Sequence, residues 1–278
     1  MPNFDTPDPI SVTLEFDIGS ARIIAGKRTD TVVEVLPSND ADDADVRAAE
    51  QTKVTFTGGK LLVKGLKRRS LFGKSGSVEV TVELPTDSDV LGVSPMADLI
   101  CEGRFGECRL KTSLGTIRVD EAGAVNLRTG HGAISVDRVT GDAEITGAGQ
   151  IDIGEIAGNA VVKNLNGESV IGEIGGGLKV NASNGHISVD VAHASVEAKC
   201  ANGSIRIGEV ECGKVTLQAA AGDIEVGVRE PTAAWLDVHT RVGKVRNSIE
   251  PSEGPGDSGS TVEVHARTGV GNIVIRRP

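Results

Sequence analysis

The chain has 278 residues and a formal net charge of −10, and only 2% of it is aromatic, with no Tyr and 36 Gly. The acidic balance excludes a general nucleic-acid binder, which carries a basic face, and the scarcity of rings removes stacking platforms for single strands. Large rings cannot build a wide core here, so Val, Ile, Leu and Ala in thin layers must do so.

The first 110 residues alternate apolar and polar residues without a clean period. Ile10-Ser-Val12-Thr-Leu14-Glu-Phe16, Thr31 to Val35 and Val78 to Leu84 each read as strands, and Pro85 stops the last of them. Ser38 to Glu50 is acidic and alanine-rich, a loop or one to two helical turns. Lys67, Arg68, Arg69, Leu71, Phe72 and Lys74 pair positive charge with two apolar side chains on an acidic protein. That combination suits a docking loop for an acidic protein partner or an anionic membrane face.

From Gly115 a glycine recurs at 132, 149, 167, 185, 203, 222, 243 and 271, most of them opening Gly-x-apolar-x-apolar. A period of about 17–19 residues predicts stacked rungs, a β-solenoid. Each rung holds two short strands. One starts at the glycine, as in Gly185-His-Ile187-Ser-Val189, and the other lies half a period later, as in Val196-Glu-Ala198. Ile117, Ile134, Ile151, Ile187, Ile205, Ile224, Val245 and Ile273 share one offset from the glycine and should form one buried column. The whole reads as a single domain, with residues 10–110 as irregular N-terminal rungs, 111–278 as regular repeats and 252–260 as a mobile Gly/Ser/Pro/acidic loop. Arg276, Arg277 and Pro278 should blunt the last edge.

Several polar positions repeat with the rungs. Asp120, Asp137 and Asp190 take the place of Gly154, Gly172, Gly208 and Gly227, an exchange that marks a left-handed or tight corner rather than catalytic carboxylates. Beside it runs a ridge of Glu121, Arg138, Glu155, Glu173, Val191 and Glu209. Arg206, Glu225 and Arg246 should stack with alternating sign. Aligning Leu236-Asp-Val238-His239 with Val262-Glu-Val264-His265 sets both imidazoles on adjacent rungs, about 5 Å apart, the one candidate metal pair in an otherwise metal-free reading.

Cys101, Cys108, Cys200 and Cys212 form no CxxC and no metal-ligand spacing, so they read as buried structural thiols without a disulfide or zinc. Residues 1–10 lack the basic and apolar regions of a signal peptide, and no apolar run is long enough to span a bilayer. A cytoplasmic location follows. No hydrolase elbow or phosphate loop occurs, and no cofactor is implied.

With its repeated Gly-x-Ile-x-Val units from Gly115 to Ile275 and the segment Gly76-Ser-Val-Glu-Val-Thr-Val-Glu-Leu-Pro85, the chain resembles a bacterial β-solenoid family labelled putative adhesin and domain of unknown function. The resemblance implies a right-handed single-stranded parallel β-helix and, for many members, an envelope-associated setting. It implies no catalytic residues. The expected function is a non-enzymatic scaffold or protein-interaction module. The alternatives are a β-helix enzyme acting on acidic polysaccharide, for which aromatic sugar subsites are nearly absent, and a filament subunit pairing through its end rungs.

Overall fold

In the computed structural model, residues 1–65, 76–250 and 260–278 are described. About 70% of these residues are in strands. The one helix among them, Asp43–Gln51, is N-capped by Asp42, whose carboxylate accepts from the Ala44 amide. The chain forms two compact units, Met1–Thr140 and Gly141–Pro278.

The first unit mixes parallel stacking with antiparallel hairpins. Ser11–Glu15 lies between Lys60–Lys64 and the start of Asp89–Leu114, parallel to both. Ile18–Gly26 is flanked in the same way by Val78–Pro85 and by residues 96–102. Asp30–Pro37 runs antiparallel to Val78–Pro85, and Lys53–Thr57 folds back on Lys60–Lys64. These reversals explain why the period is unreadable before residue 110: a hairpin does not return the chain to the same place after a fixed number of residues. The regular stack begins where residues 99–114 lie parallel on Ile117–His131.

The second unit is a β-solenoid with two strands per rung. One set of strands runs Ala143–Gly147, Ala160–Asn166, Leu178–Asn184, Val196–Asn202 and Gly213–Ala221, each paired in parallel with the next. The other runs Ile151–Ile156, Ser169–Ile174, Ile187–Ala192, Ile205–Val210 and Ile224–Val228. Ile151, Ile187, Ile205, Ile224 and Ile273 are buried, as the common offset from glycine requires, and so are Ile117 and Ile134 in the first unit. Ser169 takes the isoleucine position of one rung, and its hydroxyl accepts from the Asn164 amide at 3.1 Å.

The backbone at the repeating glycine explains its recurrence. Gly185 has φ 126°, and a Cβ there would stand 2.0 Å from the carbonyl oxygen of Gly167 one rung before. No side chain fits that approach. A second column anchors the same corners from inside. Asn164 Nδ2, Cys200 Sγ, Thr268 Oγ1 and Thr240 Oγ1 each donate to a carbonyl of one of these glycines, Gly149, Gly185, Gly222 and Gly271, at 2.8–3.2 Å. The residue type changes from rung to rung, and where a donor stands it satisfies the corner carbonyl; Ala182 and Ala219 hold the same column place without one.

The aspartate corners behave otherwise than expected. Among the described non-glycine residues only Asp87 has a positive φ, so Asp120, Asp137 and Asp190 are not in left-handed backbone. Asp120 instead accepts from the Gly103 amide at 3.0 Å. Close rung-to-rung approach, not handedness, explains the glycines at this place: a Cβ on Gly208 would lie 2.6 Å from the Asp190 carbonyl oxygen.

The order of the last rungs departs from chain order. Thr261–Val270 pairs with Gly213–Ala221 on one side and with Ala233–Val242 on the other. Ile273–Arg276 likewise lies between Ile224–Val228 and Val245–Asn247. The final segment therefore inserts as a layer beneath residues 233–247, which form the outermost rung of this unit. Three expectations fall with this. Val245 is not buried but 43% exposed, because nothing among the described residues covers its rung. Arg246 lies beside Val274 rather than Glu225, and Glu225 pairs with Arg276 at 2.7 Å. Arg276 and Arg277 belong to an inner layer and do not blunt the edge.

Candidate interaction surface

The outermost rung begins with Ala233–Val242, a strand of ten residues. Its inward positions match buried ones in the layer beneath: Leu236 lies on Val264 and Val238 on Ala266. In the outer rung both are only half-buried, while Trp235 and Val242 are 56% and 59% exposed. Residues 241–248 are exposed throughout.

A polar cluster ties the rung to the inserted layer. His265 faces Asp237, and its Nδ1 lies 3.2 Å from Asp237 Oδ2 while its Nε2 lies 2.7 Å from Glu263 Oε1. The Trp235 ring is tilted against the His265 ring, with centroids 5.1 Å apart. Arg267 reaches the same Asp237 oxygen at 3.2 Å, and Lys214 sits 3.7 Å from Glu263. Hydrogen bonds from His265 lead the effects that hold both carboxyls below their ordinary range, with Arg267 adding to Asp237 and Lys214 to Glu263. Both imidazole nitrogens are thus engaged by carboxylates. Next to the cluster, Lys214, Thr216, Gln218, His265 and Arg267 line a shallow hollow of about 250 Å³.

The candidate pair of His239 and His265 is not brought side by side. The rungs are adjacent, but the register is two residues from the alignment the sequence suggests: His239 lies on Arg267, and Asp237 on His265. No group of three or more metal-ligating side chains able to hold an ion occurs among the described residues. Lys67, Arg68, Arg69, Leu71, Phe72 and Lys74 lie outside the described residues, as does most of the 252–260 insertion.

The carboxylate ridge holds its expected register, with Glu155 on Glu173, Glu173 on Val191 and Val191 on Glu209. Its chemistry centres on a residue that sequence reasoning left aside. His193 stands between Glu211, 2.6 Å from Nδ1, and Glu173, 2.8 Å from Nε2. These two bonds, Glu211 foremost, raise the pKa of His193 above its ordinary value. The rung period of about 18 would have placed it beside Glu211. Trp235 was also passed over; a lone Trp in a chain almost without rings was the available signal.

A family signature matches residues 13–273. The chain belongs to the Toastrack DUF4097 family. Solved structures similar to this Toastrack chain include a protein described as a putative cell adhesion protein from Clostridium sporogenes ATCC 15579, at 14% identity. It covers 100% of this chain and 98% of its own, with a TM-score of 0.25. A putative adhesin from Bacteroides fragilis NCTC 9343 is 10% identical over 99% of this chain and 95% of its own, with a TM-score of 0.37. A putative adhesin from Parabacteroides distasonis ATCC 8503 is 11% identical over 98% and 95%, with a TM-score of 0.33. No curated protein matches the Toastrack chain. No helix among the described residues is long and apolar enough to cross a membrane.

Proposed function

We propose that this Toastrack protein is a non-enzymatic interaction module whose contact surface is the outermost rung, residues 233–247. One observation carries the reading: inward positions that are buried in the inner layers are uncovered there, and Trp235, Val242 and Val245 stand exposed beside a strand edge that no described residue pairs. Exposed apolar side chains grouped at one place mark contact sites, and Trp is enriched in them. The remaining outward surface of the second unit, among the described residues, exposes one large apolar side chain away from this rung and the layer beneath it, Leu165. Its charges are largely answered within the fold, as in Lys179–Glu197 and Arg229–Glu209. The hollows are shallow, which suits contact with a macromolecule better than enclosure of a small substrate.

A photo-reactive amino acid placed at position 242 tests this in the native host, with the same group at position 163, outward on an inner rung, as reference. Adducts with a discrete partner should form from 242 and not from 163. Equal adduct patterns from both positions would remove the rung from consideration.

A further inference from the structure

The partner's chemistry can be read from the rung's edge, taking the contact surface just proposed as given. Among the described residues, Ala233–Val242 and Val245–Asn247 pair on one side only, with the inserted layer. The other side presents a row of backbone donors and acceptors, the template to which an extended chain adds as a strand. The edge is long, ten residues in its first strand.

Charge narrows what would fit. The rung carries one acid, Asp237, which is engaged by His265 and Arg267. It also carries Arg241, Lys244 and Arg246, all exposed, and no ion pair forms to any of them among the described residues. Other arginines of this unit are ion-paired, Arg229 with Glu209 and Glu211 and Arg276 with Glu225, while the exposed Arg206 forms no ion pair among the described residues. Three unanswered cations at one open edge, on a chain of net charge −10, reverse the local sign. A second copy docking rung to rung would set the same three cations against each other, a like-charge arrangement that disfavours self-pairing. A segment bearing carboxylates would meet them with complementary charge, and its alternate apolar residues would cover Val242, Val245 and the Trp235 ring.

We infer that residues 233–247 bind an acidic, extended segment of a partner protein by strand addition. Trp235 is the only tryptophan of the chain, so its emission reports directly on the edge.

The probe is a fluorescein-labelled peptide, Glu-Val-Asp-Val-Glu-Ile-Glu-Val, compared with a version carrying Lys at each acidic position and with an acidic version carrying Pro at two alternate positions. Binding is followed by anisotropy and by Trp235 emission on the full chain. The acidic peptide should bind saturably and shift the emission to the blue. The Lys and Pro versions should bind at least about tenfold more weakly, the first through charge and the second through lost backbone pairing. The triple variant R241E/K244E/R246E, with an unchanged melting profile, should lose the same factor. Should the triple variant fail to fold, R246E alone in the short outer strand must weaken binding and blunt its salt dependence. Equal binding of the acidic and Lys peptides, or undiminished binding of the Pro peptide, overturns the inference. So does concentration-dependent self-association that the triple variant enhances while the peptide does not bind. Adducts from position 242 without acidic-peptide binding would leave the contact surface standing and discard the acidic strand alone; loss of both discards both.

Discussion

Asn202 donates from Nδ2 to the Oδ1 of Asn184 at 3.0 Å, and Asn184 donates in turn to Asn166 at 2.9 Å, so three rungs are joined by one amide ladder. Each of these asparagines precedes a repeating glycine. The ladder runs along the stacking direction, the use of stacked amides in layered β-structures. Replacing the middle rung's residue, Asn184→Ala, removes two side-chain bonds at once. The expected cost is about 0.5–1.5 kcal/mol, since the bonds are exposed to water. Urea unfolding measures it, and a midpoint equal to wild type would show that the ladder is ornamental.

Ile187 and Val245 occupy the same column, one inside it and one at its open end. Ile187→Asp puts a charge without a partner into a layer where the side chain is 1% exposed. Loss of folding, or a drop of at least about 3 kcal/mol, is expected. Val245→Asp should stay within about 0.5 kcal/mol, as surface changes do. Equal damage from the two substitutions would mean that the outer rung is covered in solution.

The corner glycine gives a sharper test. Gly185→Ala must bring a methyl group within 2.0 Å of the Gly167 carbonyl oxygen, so the two rungs have to separate there. A loss of at least about 2 kcal/mol is expected, from backbone strain and weakened pairing together. Thermal melting of this variant above that of wild type would refute the steric account.

How much of this was readable from sequence depends on what is local. Which residues face inward is a local matter of alternation, and Ile187, Ile205 and Ile224 are buried where the period put them. The ridge register at Glu173, Val191 and Glu209 followed for the same reason. Which rung stacks on which is not local. It is settled by pairings such as Ile224 on Ile273, and a repeat count along the chain carries no information about an exchanged order. Val245 and Arg246 were misplaced through that one gap, and the pairing of His239 with His265 through a register slip of two residues on rungs that are indeed adjacent. The aspartate corners failed differently: Asp and Gly do exchange there, but for clearance between rungs and an amide contact, not for left-handed backbone.

His193 makes stability depend on pH. Its folded-state pKa lies above the ordinary 6.5 because the imidazolium is bonded by Glu211 and Glu173. The contribution is therefore complete below about pH 6.5 and fades as pH rises through the raised value. The side chain is 32% exposed and both carboxylates more so, and solvent screening keeps the effect under about 1 kcal/mol. Wild type should exceed His193→Gln in stability at about pH 5.5 and match it at about pH 9. A difference that grows toward alkaline pH would contradict the assignment.

Thiol reactivity offers a separate check on the first unit. Cys101 and Cys108 are fully buried, and the Cys101 pKa is driven well up, first by its bond with Cys108 and then by burial. Alkylation of the native protein should reach the partly exposed Cys212 well before Cys101. Four modified thiols are expected once the protein is denatured without reductant. Rapid labelling of Cys101, or a protected pair, would argue against this packing.

The inserted layer sets an order on synthesis. Residues 233–247 leave the ribosome before residues 261–276, yet their inner edge has no partner until those arrive. Contacts such as Asn272 with Asp223 close a span of 49 residues at that step. Loop closure of this size is slow compared with adding a neighbouring rung. The outer rung is thus the last part to be secured although it is not the last part made. Trimming the chain before residue 261 would not shorten the stack by its end. It would pull out a middle layer, leaving Ile224 and Leu217 bare on one side and Trp235 tethered to nothing.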